Sequence, residues 1–228
     1  MEFNQKIRNL FKSLLFSLLF RTEHKGNINM SKIKAFNRWD TKGIVVNDAG
    51  LKPYISVEPR IVPKTGATYA GSKFYKSKLF IVERLINKLM VPGHKGKKHK
   101  YTSSLVTGKG QSAYNLVEEA LSTIEQRTKK NPIQVLVTAI ENAAPREDIV
   151  SIEYGGARYP KAVDCSPQRR VDVALRNMVQ GAYAKAFNNR KKFSECLATE
   201  IVDAYNLSSN SNAISKKLMT ERQTEASR

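Results

Sequence analysis

The sequence predicts a mainly α protein: a helical bundle of about six helices with an inserted β-hairpin ribbon, preceded by an extended, partly stranded N-terminal arm. Three observations carry that expectation. Apolar residues recur at three- and four-residue spacing in several segments beyond residue 73. Asn-Pro, Ser-Pro and Pro-Gly pairs stand where such segments should begin or end. One stretch, IVSIEYGGARYPKAV, alternates apolar and polar residues before a Gly-Gly pair. A chain of 228 residues is long enough for one domain with a real core.

The arm covers residues 30–72, which are rich in Gly, Pro and short β-type runs (GIVV, YISV, RIV). The first helix is expected over 73–91. Leu79, Val82, Leu85, Ile86, Leu89 and Met90 mark its apolar face, and Pro92-Gly93 ends it. Residues 93–110 read as a flexible basic loop. The second helix spans 111–129 and buries Leu116, Val117, Ala120, Leu121 and Ile124.

Asn131-Pro132 suits an N-cap followed by proline at the first helical position. The third helix, IQVLVTAIENAA, is apolar nearly all round, so it belongs at the centre of the core until Pro145 stops it. The ribbon follows at about 148–164, with Gly155-Gly156 as its turn. A lone two-stranded ribbon is marginal in water, so packing or a partner should order it. Tyr154 shares parity with Val150 and Ile152 and is expected to pack across the strands. For Tyr159, packing and stacking on a base weigh equally.

Ser166 and Pro167 open the fourth helix. Its buried stripe is Val171, Ala174, Leu175, Met178, Val179 and Ala182, and Arg169, Arg170 and Arg176 fall off that stripe. The turn Asn188-Asn189-Arg190-Lys191-Lys192 follows. A fifth helix starts near Ser194 and a sixth near Asn212, with the end of the chain fraying.

Charge sorts the function classes. Lys plus Arg number 39 against 20 Asp plus Glu, a net charge of +19, which points to a polyanion, nucleic acid before an anionic membrane. The excess is blocked along the chain. Residues 73–110 hold ten basic residues and one acid, Glu83, and residues 157–192 hold nine and two. Between them, 111–153 carry four basic and seven acidic residues, and 193–210 three acids and no base. Such blocks imply two cationic surfaces on a scaffold that also has acidic helices.

Enzyme chemistry has no convincing signature. GATYAGSK has the glycine spacing of a phosphate loop, but Ser72 precedes Lys73 where the motif needs the reverse. Glu118 and Glu119 are adjacent and diverge on a helix, and Glu147-Asp148 belong to the connection before the ribbon. No metal or other cofactor is expected: Cys165 and Cys196 form no CxxC pattern, and His94 and His99 sit in the lysine-rich run GHKGKKHK, which repels cations. The two cysteines fit a reduced, cytoplasmic pair.

The run LFKSLLFSLLF (residues 10–20) is about half the ~20 apolar residues a membrane span needs. No small-residue cleavage site follows it. Met30 is expected to be the initiator, which makes residues 1–29 a non-native or disordered N-terminal extension. The domains are then 1–29, the arm 30–72, and a helical RNA-binding domain 73–228. A nucleic-acid enzyme would need converging acids, and a membrane-surface protein would need residues 10–20 as an amphipathic helix.

The positive signals concern phosphate. Arginine presents a planar fork to it, lysine a looser charge, and a helix N-terminus free N–H groups. Arg169 and Arg170 stand at such a helix mouth, where like polarity costs about 0.3–1 kcal/mol per charge. A phosphate there would reverse the sign. The alternative is that they splay into solvent or pair with Asp172 or Asp164.

The segments IVERLINKLM, a GKK-bearing loop, AYNLVEEAL, NPIQVLVTAIENAAPRE and SIEYGGARYPKAVDCSPQRRVDVAL occur in that order. Together they closely resemble the universal small-subunit ribosomal protein S-seven family, whose eukaryotic relative is called S-five. FNRWD and the terminal Ser-Arg resemble the archaeal branch, and the resemblance covers about 35–228. It implies a helical domain with a ribbon. It also implies binding to the 3′ major domain of small-subunit rRNA, nucleation of head assembly, and a ribbon near the exit tRNA site and the messenger path. The implied partners are that rRNA, neighbouring head proteins, exit-site tRNA and messenger RNA, with no membrane.

By resemblance the loop residues Gly96, Lys97 and Lys98 and the helix-mouth residues Arg169 and Arg170 contact rRNA. Charge adds Lys73, Lys76, Lys78, Lys88, Lys95, Lys100 and Lys109 on one side and Arg176, Arg190, Lys191 and Lys192 on the other. Gly155, Gly156, Arg158 and Tyr159 form the ribbon tip near tRNA.

Overall fold

The helix predicted to be apolar all round is the axis of the fold. In a computed structural model that describes residues 33–60, 63–66, 68, 70–91 and 108–228, this helix runs Pro132–Ala143. The Asn131 side chain accepts from the Ile133 N–H at 3.0 Å, the expected N-cap. Ile133, Val135, Leu136, Val137, Ala139, Ile140 and Ala143 are all fully buried, so every face but a narrow polar strip is covered. The described residues from Lys34 onward lie in the compact unit Lys34–Arg228.

Six α-helices are present among the described residues: α1 Ile81–Leu89, α2 Gly110–Thr128, α3 Pro132–Ala143, α4 Pro167–Ala186, α5 Phe193–Tyr205 and α6 Asn212–Ala226. The apolar stripes predicted for α1, α2 and α4 are buried, except that Met90 and Leu116 are only partly so. Helix α5 packs against α2, α3 and α4, and α6 closes over α4 and the base of the ribbon. Cys165 and Cys196 are both free thiols.

Three sequence expectations change. The first helix starts at Ile81, not near residue 73. Ahead of it Phe74 adopts a left-handed conformation (φ 56°), and a short 3-10 turn covers Tyr75–Lys78. The Ile81 N–H donates to the Ser56 carbonyl at 3.0 Å, so the arm satisfies one of the donors a helix start leaves unpaired. The end of the chain does not fray. Helix α6 continues to Ala226, lies against β1, and Arg228 pairs with Glu147.

The third change concerns the arm. Its β-type runs form no strand among the described residues. Only two isolated bridges occur, Ala35 to Trp39 and Ser56 to Phe80. The polar strip of α3 takes the role of a partner strand. Gln134 accepts from the Val45 N–H and donates to the Val45 carbonyl, at 3.0 and 3.1 Å. Glu141 accepts from the N–H groups of Asn47 and Asp48, and Asn131 donates to the Asp40 carbonyl. Buried Trp39 donates its indole N–H to Glu125 on α2 at 2.9 Å. Side chains thus satisfy backbone groups that would otherwise call for a ladder.

The ribbon pairs β1 Glu147–Tyr154 antiparallel with β2 Ala157–Asp164. Gly155 and Gly156 both have positive φ, 57° and 82°, as a two-residue hairpin turn of the primed type demands. Residues 1–29 and the loop 92–107 lie outside the described residues.

Candidate nucleic-acid interface

The predicted cationic residues are spread over several places. Lys95, Gly96, Lys97, Lys98 and Lys100 lie outside the described residues, and the expectation for the GKK loop rests there. Lys109, at the N-cap position of α2, is exposed.

Around the junction of α1 and α4, Lys73 and Lys78 are exposed on the 3-10 turn and its flank. Lys76 reaches Asp172 at 3.1 Å. Arg84, which the sequence reading did not single out, is buried. It donates to Asp172 at 3.1 Å and to the Tyr54 carbonyl at 2.9 Å. Asp172 therefore serves two cations, one on each oxygen. Lys88 is half-buried and Arg176 exposed beside them. Phe74, 60% exposed between Lys73 and Lys76, was also missed. The interleaved KFYKSK run is the signal that could have found it, since aromatics among cations suit unpaired bases.

At the mouth of α4 the two arginines part company. Ser166 holds the N-cap position but makes no side-chain capping bond, and no acid lies in the first turn. Each arginine instead takes a counter-ion from another element, and neither partner is Asp172 or Asp164. Arg169 grips Asp148 of β1 through Nη2 and Nε, at 2.7 and 3.2 Å, while remaining mostly exposed. Arg170 turns inward. Its side chain is 12% exposed, bound to Asp48 of the arm at 2.9 Å and to the Pro145 carbonyl at 3.1 Å. Arg170 fastens the arm to the helix; Arg169 faces solvent.

On the ribbon, Arg158 is exposed and loosely paired with Glu153 at 3.5 Å. The register sets Ile152 opposite Tyr159 and Tyr154 opposite Ala157. Tyr154 is 81% exposed, because alanine gives it little to pack on, so the expected cross-strand packing does not form. Val150, Ile152, Tyr154 and Tyr159 share one open face. In the turn after α4, Arg190, Lys191 and Lys192 are exposed, and Lys192 approaches Glu119 at only 3.7 Å.

Two of the acids that hold these cations, Asp172 and Asp48, titrate low. Burial raises the Asp172 carboxyl, but the hydrogen bonds and charges of Lys76 and Arg84 outweigh it and leave the group below its ordinary value. At Asp48 burial is likewise outweighed by the Gly50 N–H and Arg170. The unfolded chain therefore takes up protons first as pH falls. The stabilisation is complete above about pH 4 and is lost as pH drops through the lower folded-state values. Urea midpoints are expected to fall as pH drops below about 4; a flat profile there would contradict these pairings.

Among the described residues no group of three His, Cys, Asp or Glu could hold a metal ion, and no helix is long and apolar enough to cross a membrane. Exposed arginine, lysine and aromatic side chains on a helical scaffold suit surface contact with a polyanion. The chain belongs to the family described as ribosomal protein S7p/S5e, which matches residues 51–228. It is 51% identical over 197 residues to the small ribosomal subunit protein uS7 of Nanoarchaeum equitans, covering 86% of this chain and all of the relative. It is 45% identical to the uS7 of Archaeoglobus fulgidus over 204 residues, 90% of this chain and all of that protein. The uS7 of Methanothrix thermoacetophila is 46% identical over 196 residues, again 86% of this chain and its own full length.

Proposed function

We propose that this chain, a structural constituent of the cytoplasmic small ribosomal subunit, binds the 3′ major domain of small-subunit rRNA and nucleates assembly of the head. The observation that carries the RNA contact is the separation of charge on the surface. Lys73, Lys78, Lys109, Arg169, Arg176, Arg190 and Lys191 are exposed, while most acids near the cations are engaged in pairs. Affinity comes from neutralised phosphates, and selectivity from RNA shape and a few unpaired bases. The ribbon tip, with Arg158 and exposed Tyr154 and Tyr159, fits a single-stranded or loop partner, which is consistent with exit-site tRNA and messenger RNA.

The test is binding to a transcript of the 3′ major domain over a salt series. With six to ten phosphate contacts, affinity is expected to fall by about 10³–10⁵ between 50 and 200 mM salt. Equal binding to an unrelated transcript of the same length would overturn the domain assignment. Sedimentation of the protein away from the small subunit in a lysate would overturn the assembly role.

A further inference from the structure

A cavity of ≈ 760 Å³ opens between α1, the 3-10 turn, the start of α2 and the arm. Cavities of about 300–1,000 Å³ accommodate small ligands. Tyr75 and Tyr114 line this one, both half-buried, with Lys76, Lys88, Asn87 and Gln111 supplying polar groups.

The charge inside does not balance. Lys64, Lys76, Arg84 and Lys88 line it against one acid, Asp172, which Lys76 and Arg84 already share. The neighbouring acid, Glu83, is buried and spends one oxygen on the Thr65 N–H and hydroxyl, at 2.7 and 2.6 Å. Lys88 has no carboxylate within ion-pair distance among the described residues. Burial first, then Arg176 and Lys76, lowers its pKa against the opposing pull of Asp172, so its charge is held at a cost. A half-buried ammonium in a cavity also lined by two tyrosines has the needs of a nucleotide site: an anion for the cation and a flat ring for the aromatic faces.

We infer that this cavity receives one unpaired nucleotide of the bound rRNA, its phosphate on Lys88 and its base against Tyr75 and Tyr114. The inference rests on the RNA-binding reading above and adds a subsite and two aromatic contacts to it. The cavity would seat a base splayed out of the RNA fold, as sequence-selective RNA recognition commonly requires.

Ultraviolet crosslinking of the intact protein on the 3′-domain transcript, with peptide mapping, tests it. Crosslinked nucleotides are expected on the peptides containing Tyr75 and Tyr114. Lys88→Gln is expected to weaken binding about fivefold and to lower the salt slope by roughly one. Tyr75→Leu is expected to weaken it about tenfold with little change in that slope. Tight binding with no crosslink at either tyrosine overturns the subsite and leaves the RNA-binding reading intact. Absence of transcript binding by the unaltered protein overturns that reading instead, and the subsite with it. Saturable crosslinking of free AMP at these tyrosines, with none from the transcript, would assign the cavity to a soluble nucleotide and so overturn the inference.

Discussion

Replacing Glu200 with alanine is expected to cost about 3–5 kcal/mol, a large part of the ~5–15 kcal/mol that holds a domain together. Glu200 sits on α5 with no solvent exposure. Its carboxylate accepts from Lys185 Nζ at 2.6 Å, the Ser211 hydroxyl at 2.9 Å and the Ala213 N–H at 3.2 Å. Those donors come from α4, the α5–α6 turn and the first turn of α6, so one carboxylate joins three elements. Alanine would strand the Ser211 hydroxyl and the Ala213 N–H at a buried junction, and would leave Lys185 only the Asn210 carbonyl at 3.0 Å and Asp203 at 3.7 Å.

Gly181 on α4 checks the same junction independently. A Cβ there would stand 2.7 Å from Asn212 Cβ and 2.9 Å from the Glu200 carboxylate. In an exposed helix, Gly→Ala gains about 1 kcal/mol. Here overpacking of about 1–3 kcal/mol should win, and Gly181→Ala should destabilise. Urea denaturation of both variants measures this. Midpoints at or above that of the unaltered protein would show that the junction does not carry the bundle.

The helices and the ribbon were legible in the sequence because their signals are local. Val171 to Ala182 repeats at helical spacing, Asn131-Pro132 is a start signal, and Gly155-Gly156 admits the turn that the register needs. Glu200 was not legible. It belongs to an acidic stretch, 193–210, that reads as a solvated face, and its lysine comes from another helix. The arm misled for a related reason. Its β-type composition signals extended backbone, but which groups satisfy that backbone depends on Gln134 and Glu141, some ninety residues away. The cations of the candidate site were legible as charge sign and chain position. Which cations are spent on internal acids was not, because Asp48, Asp148 and Asp172 reach their partners through tertiary contact.

That distinction yields the second large effect. Arg170→Glu is expected to destabilise the fold by about 3–5 kcal/mol. It would bring a second carboxylate against Asp48 in a site 12% exposed and remove the bond to the Pro145 carbonyl. Arg169→Glu, one residue earlier, should change stability by no more than ~1 kcal/mol, because its pair with Asp148 is at the surface. Its effect should appear in RNA affinity, about tenfold or more weaker, with a shallower salt slope. Adjacent residues on a helix point about 100° apart, enough to set one arginine into the arm and leave the other to solvent. Urea midpoints and transcript binding, measured on both variants, separate the roles. Unchanged stability in Arg170→Glu would return Arg170 to the surface, and unchanged affinity in Arg169→Glu would remove the helix mouth from the interface. A surface pair with Asp148 is weak enough to be exchanged for a phosphate, whereas the Asp48 pair, whose arginine is largely buried, is not. The same Ser-Pro-Gln-Arg-Arg sequence can therefore anchor the fold with one arginine and present the other to RNA.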